Sequence, residues 1–370
     1  MIYLDHGATS FPKPEPVCRA AAQAMAQCAN PGRGSHAPAE NAQQRVFSCR
    51  CAAAELFHCR EEQVVFTQNC THGLNMAIRT LVKPGHRVVI SGFEHNAVTR
   101  PLHAIGARIT VAGRRLFDRE DTLRSFRRAL DRGAKAAVFT HVSNVFGYIL
   151  PVEEMAAECR RRGIPFILDA AQSAGSVELD FGALGADFVA MPGHKGLQGP
   201  MGTGILLCRR LPAPLIAGGT GSESENQRMP DFLPDRGEAG TLNVPGIAGL
   251  EAGIRLILQK GPEVIGQRES ALVHRLAPHL AELGMEVFAG DCQAGVLSFR
   301  WGGDCQEGAR RLGELGIALR SGLHCAPLAH HSAGTLATGT IRLSLGPDTR
   351  WEDLQVLLQA VQTTLAPGKH

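Results

Sequence analysis

The chain has 370 residues, 44% of them apolar, and a formal net charge of +3 with acidic and basic residues spread throughout. That length exceeds the usual single-core size, so two domains, or one large α/β domain with an appendage, are expected. No basic run is interleaved with aromatics, which argues against nucleic acid as a partner. No apolar run reaches bilayer length.

The opening "MIYLDHGATSFPKP" lacks a basic segment followed by an apolar stretch, so no signal peptide is expected. Eleven cysteines without a Cys-x-x-Cys pair read as reduced thiols of a cytoplasmic protein. From "QVVF" at Gln63 onward, apolar runs alternate with helical patterns: "THGLNMAIRTLV", "HRVVIS", "NAVTRPLHAIG", "RITVAG", a charged helix from about Asp121, "KAAVFTHVS", "VEEMAAECRRRG", "PFILDAAQS", "DFVAMP" and "GILLC". This alternation predicts an α/β fold with a mostly parallel sheet covered on both faces. The polar, Gly/Pro-rich segment 218–236 reads as a long loop. Beyond Thr241 two helical stretches lead into a smaller βαβ-like region with "GVLSFRW", "CQEGARRLGELG" and "GTIRLSLG". The predicted division is a large domain over 16–240 and a small one over 241–370, joined by the N-terminal segment 1–15.

Open α/β sheets gather ligands at the carboxyl ends of their strands. Just beyond those ends lie Thr71, His72 and Gly73, then Glu94, His95 and Asn96, then Ser143 and Asn144, then Asp169 and Gln172, and last His194 and Lys195 in "PGHKGLQGPMGTG". A helix start able to hold phosphate, an imidazole able to stack, a carboxylate and a lysine on one edge suit pyridoxal 5'-phosphate (PLP). Of six lysines only Lys195 sits in a Gly-rich loop beyond a strand, which makes it the candidate Schiff-base lysine. Without such context, Lys195 reads as a solvated loop lysine, Asp169 as a helix cap and His95 as a core histidine.

With these motifs "YLDHGATSFPKP", "NPGRGSHAP", "EHNAV", "HVSNVFG", "DAAQS", "PDRGEAGTLNVPGIAGL", "RSGLHCAPLAH" and "GTIRLSLG" run through essentially the whole chain in order. The sequence resembles the cysteine desulfurase and selenocysteine lyase family, in the class V aminotransferase branch of fold-type I PLP enzymes. The resemblance implies a large domain with a mostly parallel seven-stranded sheet, a smaller C-terminal α/β domain, and a homodimer with shared active sites. It implies that Lys195 carries PLP and shuttles the α-proton. Asp169 would pair with the ring nitrogen, Gln172 with the ring oxygen, and His95 would stack on the ring. Thr71, the backbone of His72, and His194 would hold phosphate, with Thr241 supplied by the partner subunit. Asn144 and Arg342 would hold the substrate carboxylate, and His36 and Arg320 would flank the substrate mouth. Cys325 matches the family's sulfur-accepting nucleophile, on a loop read as mobile and accessible, with His324 and Arg320 lowering its pKa. The compact "R-x-G-x-x-C" loop resembles the second desulfurase group. No metal is implied, and His330–His331 read as a solvated pair.

His6 and Gly7 stand where relatives carry Asn or Ser followed by Ala. Pro192 replaces a phosphate-binding Ser, and His72 replaces an acidic residue. The implied activity is removal of sulfur from L-cysteine to give L-alanine and a Cys325 persulfide, passed to an acceptor protein. The alternatives are selenium release from L-selenocysteine, another class V PLP reaction, or a non-catalytic sulfur-carrier scaffold.

Overall fold

The computed structural model describes residues 1–32 and 34–365. Arg33 of the "NPGRGSHAP" motif and Lys369 lie outside them. In chain order the elements are β1 (Ile2–Tyr3), α1 (Glu15–Gln27), α2 (Ala37–Phe57), β2 (Val64–Thr67), α3 (Cys70–Leu81), β3 (Arg87–Ser91), α4 (Asn96–Ile105), β4 (Arg108–Ala112), α5 (Arg119–Leu130), β5 (Ala136–Thr140), α6 (Val152–Arg161), β6 (Phe166–Asp169), α7 (Phe181–Leu184), β7 (Phe188–Pro192) and β8 (Gly204–Cys208). They continue with α8 (Val244–Lys260), α9 (Pro262–Glu282), β9 (Glu286–Phe288), β10 (Val296–Arg300), α10 (Cys305–Glu314), β11 (Ile317–Ala318), β12 (Arg320–Gly322), α11 (Pro327–Ser332), β13 (Thr340–Ser344) and α12 (Trp351–Thr364).

The large sheet has seven strands in the order β2-β8-β7-β6-β5-β3-β4. Strands β4, β3, β5, β6 and β7 are mutually parallel, and β8 alone runs against its neighbours β7 and β2. Central strands are buried along their whole length, as parallel sheets require when helices cover both faces. Alternate residues divide between two apolar clusters: Val88, Val138 and Ile167 face one, and Val89, Phe139 and Leu168 the other.

The C-terminal part is a four-stranded antiparallel sheet, β12-β13-β10-β9, rather than the βαβ arrangement read from sequence. Its own core gathers Val273, Leu276, Leu280, Phe299, Leu312, Leu343 and Leu357. The N-terminus joins this core through Leu4, with β1 parallel to β11. The passage between the two apolar cores falls within α9. Ile247, Leu250, Ile254 and Ile257 of α8, and then Ile265, pack in the first core, and Val273 opens the second.

Glu269, on that same turn of α9, is buried and accepts no hydrogen bond among the described residues; burial pushes its pKa up to about 8. An unfolded glutamate titrates near 4.3, so between these values the folded state holds the extra proton, and stability falls as pH rises from about 4.5 through 8. Glu269→Gln is therefore expected to equal wild type near pH 4 and to exceed it at pH 9 by on the order of 5 kcal/mol. Urea unfolding at both pH values tests this, and an equal gap at both would refute it.

Candidate active site

Because five strands run in parallel, their carboxyl ends bring Ser91, Thr140, Asp169 and Pro192 to one edge. Glu94 ties two of these ends together: its Oε1 accepts from Ser91 Oγ at 2.5 Å and from the Thr140 amide at 2.9 Å. Asp169 is 2% exposed, and its Oδ1 accepts from the Ala171 amide at 2.9 Å and the Cys70 thiol at 3.4 Å. Burial, reinforced by Asp169, pushes the Cys70 thiol well up, so it stays a donor. Oδ2 of Asp169 has no partner among the described residues.

Lys195 follows the end of β7, and burial draws its amine below the ordinary lysine range. The peptide before it is held with unusual density. The His194 carbonyl accepts from the Ser10 amide at 2.9 Å, Thr9 Oγ1 at 3.0 Å, Ser10 Oγ at 3.1 Å and Lys13 Nζ at 2.9 Å. Lys13, read from sequence only as a residue between prolines, thus helps fasten the N-terminal segment to the lysine loop. Burial brings its pKa to about 8. Gln172 Nε2 donates to the Gly7 carbonyl at 3.0 Å, from the same segment.

His95 caps α4, its Nδ1 accepting from the Ala97 amide at 3.0 Å, and burial draws it below its ordinary pKa. That bond leaves Nε2 to carry the ring proton. At the start of α3 the reading of His72 changes. Its amide is already taken by the cap Asn69 Oδ1 at 2.9 Å. The amides of Cys70 and Thr71 have no acceptor among the described residues and are the ones left for an anion. His194 Nδ1 is buried without a partner, and burial lowers its pKa to about 4. Thr241 is exposed and lines a cavity with Thr67, Gln68 and His72 of its own chain. His36 is exposed at the N-terminus of α2 and joins none of these contacts.

Cys325 is exposed, and two backbone carbonyls of its loop are tied down by hydrogen bonds. The Asn96 amide donates to the Cys325 carbonyl and Asn144 Nδ2 to the His324 carbonyl, both at 2.8 Å. His324 and Cys325 adopt φ of 48° and 56°, the left-handed region that non-glycine residues enter at a cost of about 1–2 kcal/mol each. His324 does not supply the positive charge expected from sequence. Burial, helped by Arg342, lowers its pKa to about 2, and its Nε2 faces Thr340 at 3.2 Å. His330 is likewise buried, bonded to Thr335 Oγ1 at 2.7 Å and stacked on His324, so it is no part of a solvated pair.

Arg342 on β13 is buried. It donates to the Asn144 carbonyl at 2.9 Å and to Asp5 Oδ1 at 2.7 Å. Arg320 on β12 is half exposed and donates to Asp5 Oδ2 at 3.2 Å. Asp5, Lys13, Asn69 and Cys70 escaped the sequence reading of the site. The motif "YLDHGATSFPKP" flagged the segment of Asp5 and Lys13, and Cys70 stood one residue before Thr71, but their partners, 99 to 337 residues away, carried no local signal; Asn69 bonds only three residues on, as a helix cap.

A family model for class-V aminotransferases matches residues 2–357. The chain belongs to the class-V aminotransferase family, on its cysteine desulfurase branch. A probable cysteine desulfurase of Methanothermobacter thermautotrophicus is 32% identical, with 99% of this chain and 95% of that protein aligned. One from Pyrococcus abyssi is also 32% identical over 98% and 94% of the two chains. Among solved structures, the apo cysteine desulfurase of Thermococcus onnurineus NA1 superposes with a TM-score of 0.89 at 31% identity, covering 98% of this chain and 94% of that one. A cysteine desulfurase from Escherichia coli gives 0.85 at 26% identity, with the same coverage. The strand-end edge bears Lys195 and Asp169; β12 and β13 add Arg320 and Arg342, and the loop after β12 adds the exposed thiol of Cys325. Among the described residues no helix is long and apolar enough to cross a membrane.

Proposed function

We propose that this chain is a PLP-dependent cysteine desulfurase that converts L-cysteine to L-alanine and leaves the sulfur as a persulfide on Cys325. The observation that carries the reading is the pinned Cys325 loop. Its two carbonyl anchors, Asn96 and Asn144, stand at the ends of β3 and β5, on the edge that also bears Asp169 and Lys195.

The residues present fit PLP. Lys195 would hold it covalently, and the free Asp169 Oδ2 would take the protonated ring nitrogen. The unengaged Cys70 and Thr71 amides, Thr71 Oγ1 and the unpartnered His194 ring would receive phosphate, which compensates for Pro192 lacking a hydroxyl. The second proton of Gln172 Nε2 suits the ring oxygen, and His95 suits the ring face. Bound there, the cofactor would supply an electron sink for charge developing at the substrate α-carbon.

Lys195 Nζ, kept readily deprotonated by burial, takes and returns the α-proton. Arg342 and Asn144 hold the substrate carboxylate; Arg342 Nε is buried and unpartnered, a donor in need of an acceptor. The Cys325 thiolate attacks the substrate sulfur: an S–S bond forms, the Cβ–S bond breaks, and its electron pair stays on carbon, which is then protonated. One cysteine and one thiol thus become one alanine and one persulfide. Exposure of Cys325 suits delivery of that sulfur to an acceptor protein. Eleven free thiols suit the reducing cytoplasm. Exposed Ile216 and Phe232, near Thr241 in sequence, suit a homodimer with shared sites.

The test is the initial rate of alanine release from L-cysteine and from L-selenocysteine under reducing conditions, for wild type and Cys325→Ala. Cysteine turnover in wild type that falls at least about 100-fold in the variant is expected. Turnover confined to selenocysteine, in both proteins alike, would overturn the proposal in favour of a selenocysteine lyase.

A further inference from the structure

Arg320 and Arg342 are register partners across the antiparallel β12–β13 pair. Like charges set directly opposite one another repel, and here one of them is almost wholly buried. The counter-charge comes from the far end of the chain. Asp5 presents Oδ1 to Arg342 Nη2 at 2.7 Å and Oδ2 to Arg320 Nε at 3.2 Å. Its backbone is laced to the same strand: the Ser344 amide donates to the Leu4 carbonyl at 2.7 Å, and the Gly7 amide to Ser344 Oγ at 2.7 Å. The carboxylate is therefore placed by hydrogen bonds on both sides of it, main chain to main chain at Leu4 and main chain to the Ser344 hydroxyl at Gly7, not by a flexible tether.

We infer that Asp5 is a specificity-determining residue of the carboxylate pocket, bridging Arg320 and Arg342 so that the pocket offers one net positive charge to an amino acid with one carboxylate. The neighbouring histidines do not alter the count, His95 too being drawn below its ordinary range by burial. Burial lowers His6 to about 4 and His324 to about 2, so both are neutral at working pH. With Asp5 engaged on Nη2 and the Asn144 carbonyl on Nη1, Arg342 retains Nε as its unpartnered donor. Among the described residues, and with Lys195 taken by the cofactor, a second negative charge finds no unpaired arginine beside Arg342, because Arg320 is already paired with Asp5. Removing the Asp5 charge frees one, and removing Arg320 leaves the pocket with no net charge.

This inference rests on the desulfurase reading, in which Arg342 anchors the substrate carboxylate. The test measures dissociation constants of L-alanine and L-aspartate on the PLP-loaded enzyme, from ligand-induced absorbance changes and, independently, from the rise in thermal midpoint with ligand. Asp5→Asn is expected to shift the aspartate-to-alanine affinity ratio at least about tenfold toward aspartate, and Arg320→Gln about tenfold the other way. Arg320 is half exposed, so its variant carries the test should Asp5→Asn fail to fold. An unchanged ratio in the folded variants, with Arg342→Lys weakening both ligands tenfold, would overturn the role of Asp5 and leave the carboxylate anchor standing. Arg342→Lys without effect on either ligand would place the anchor elsewhere and sink both.

Discussion

Lys195→Ala is expected to lower alanine release from L-cysteine by at least about 10⁴-fold, the largest effect of any single replacement in this chain. General acid–base catalysis alone accounts for about 10²–10⁴, and the same side chain also supplies the covalent tether. The other lysines among the described residues offer no substitute: Lys13 is held by the His194 carbonyl and Ser10 Oγ, at 2.9 and 2.7 Å, Lys260 is paired with Asp348, and Lys83 and Lys135 are exposed, the latter at the amino end of β5. Single-turnover alanine release measures the loss. Borohydride reduction followed by peptide mapping should label Lys195 in wild type and nothing in the variant. Label on a different lysine, or residual turnover within a hundredfold of wild type, would contradict the assignment.

Gly147→Ala is expected to be the most damaging small substitution outside the charged cluster, costing about 3 kcal/mol. Gly147 has φ +70°, and a Cβ added there would fall onto the carbonyl oxygen of Val296, which belongs to the rigid β10 backbone. The left-handed conformation costs a side chain about 1–2 kcal/mol, and forced overpacking adds about 1–3 kcal/mol. The turn is bound to the small sheet and the segment leading into it, among other bonds by Ala294 amide to Gly147 carbonyl at 2.9 Å, Gln293 Nε2 to Phe146 carbonyl at 2.9 Å, and Ser298 Oγ to Val145 carbonyl at 2.6 Å. It also carries Asn144, which touches both the Cys325 loop and Arg342. Displacement should therefore lower kcat/KM for L-cysteine as well as the thermal midpoint, the latter by on the order of 5 °C. Gly163→Ala is the control: its φ is +64°, but an added Cβ would meet nothing within 4 Å, so only the conformational cost of about 1 kcal/mol applies. Equal losses in the two variants would contradict the steric account.

Much of this protein was legible in its sequence, for reasons that are local. Strands buried on both faces must be apolar throughout, so β3, β5, β6 and β7 announce themselves as short runs, and the polar residues just past them are brought to one edge by parallel pairing. The candidate cluster of Asp169, His95, Asn144 and Lys195 followed from that rule, and the order of the motifs pointed to the family.

What only the tertiary structure decided are properties set by partners far away in the chain. Charge state is one: His324 beside Cys325 looked like a cation until its burial against Thr340 and Arg342 showed it to be neutral. Amide availability is another, since His72 loses its donor to Asn69 while Cys70 and Thr71 keep theirs. Sheet direction in the C-terminal part is a third, because its short strands carry the same pattern whether paired parallel or antiparallel. The same limit hid the N-terminal segment. Asp5, Ser10 and Lys13 have no periodicity that marks a role, and acquire one only when the fold sets them against Arg342, Arg320 and the peptide before Lys195. Apolar patterning is written into neighbouring residues, whereas the pairing of charges and hydrogen bonds across 180 to 340 residues exists only once the chain has closed on itself.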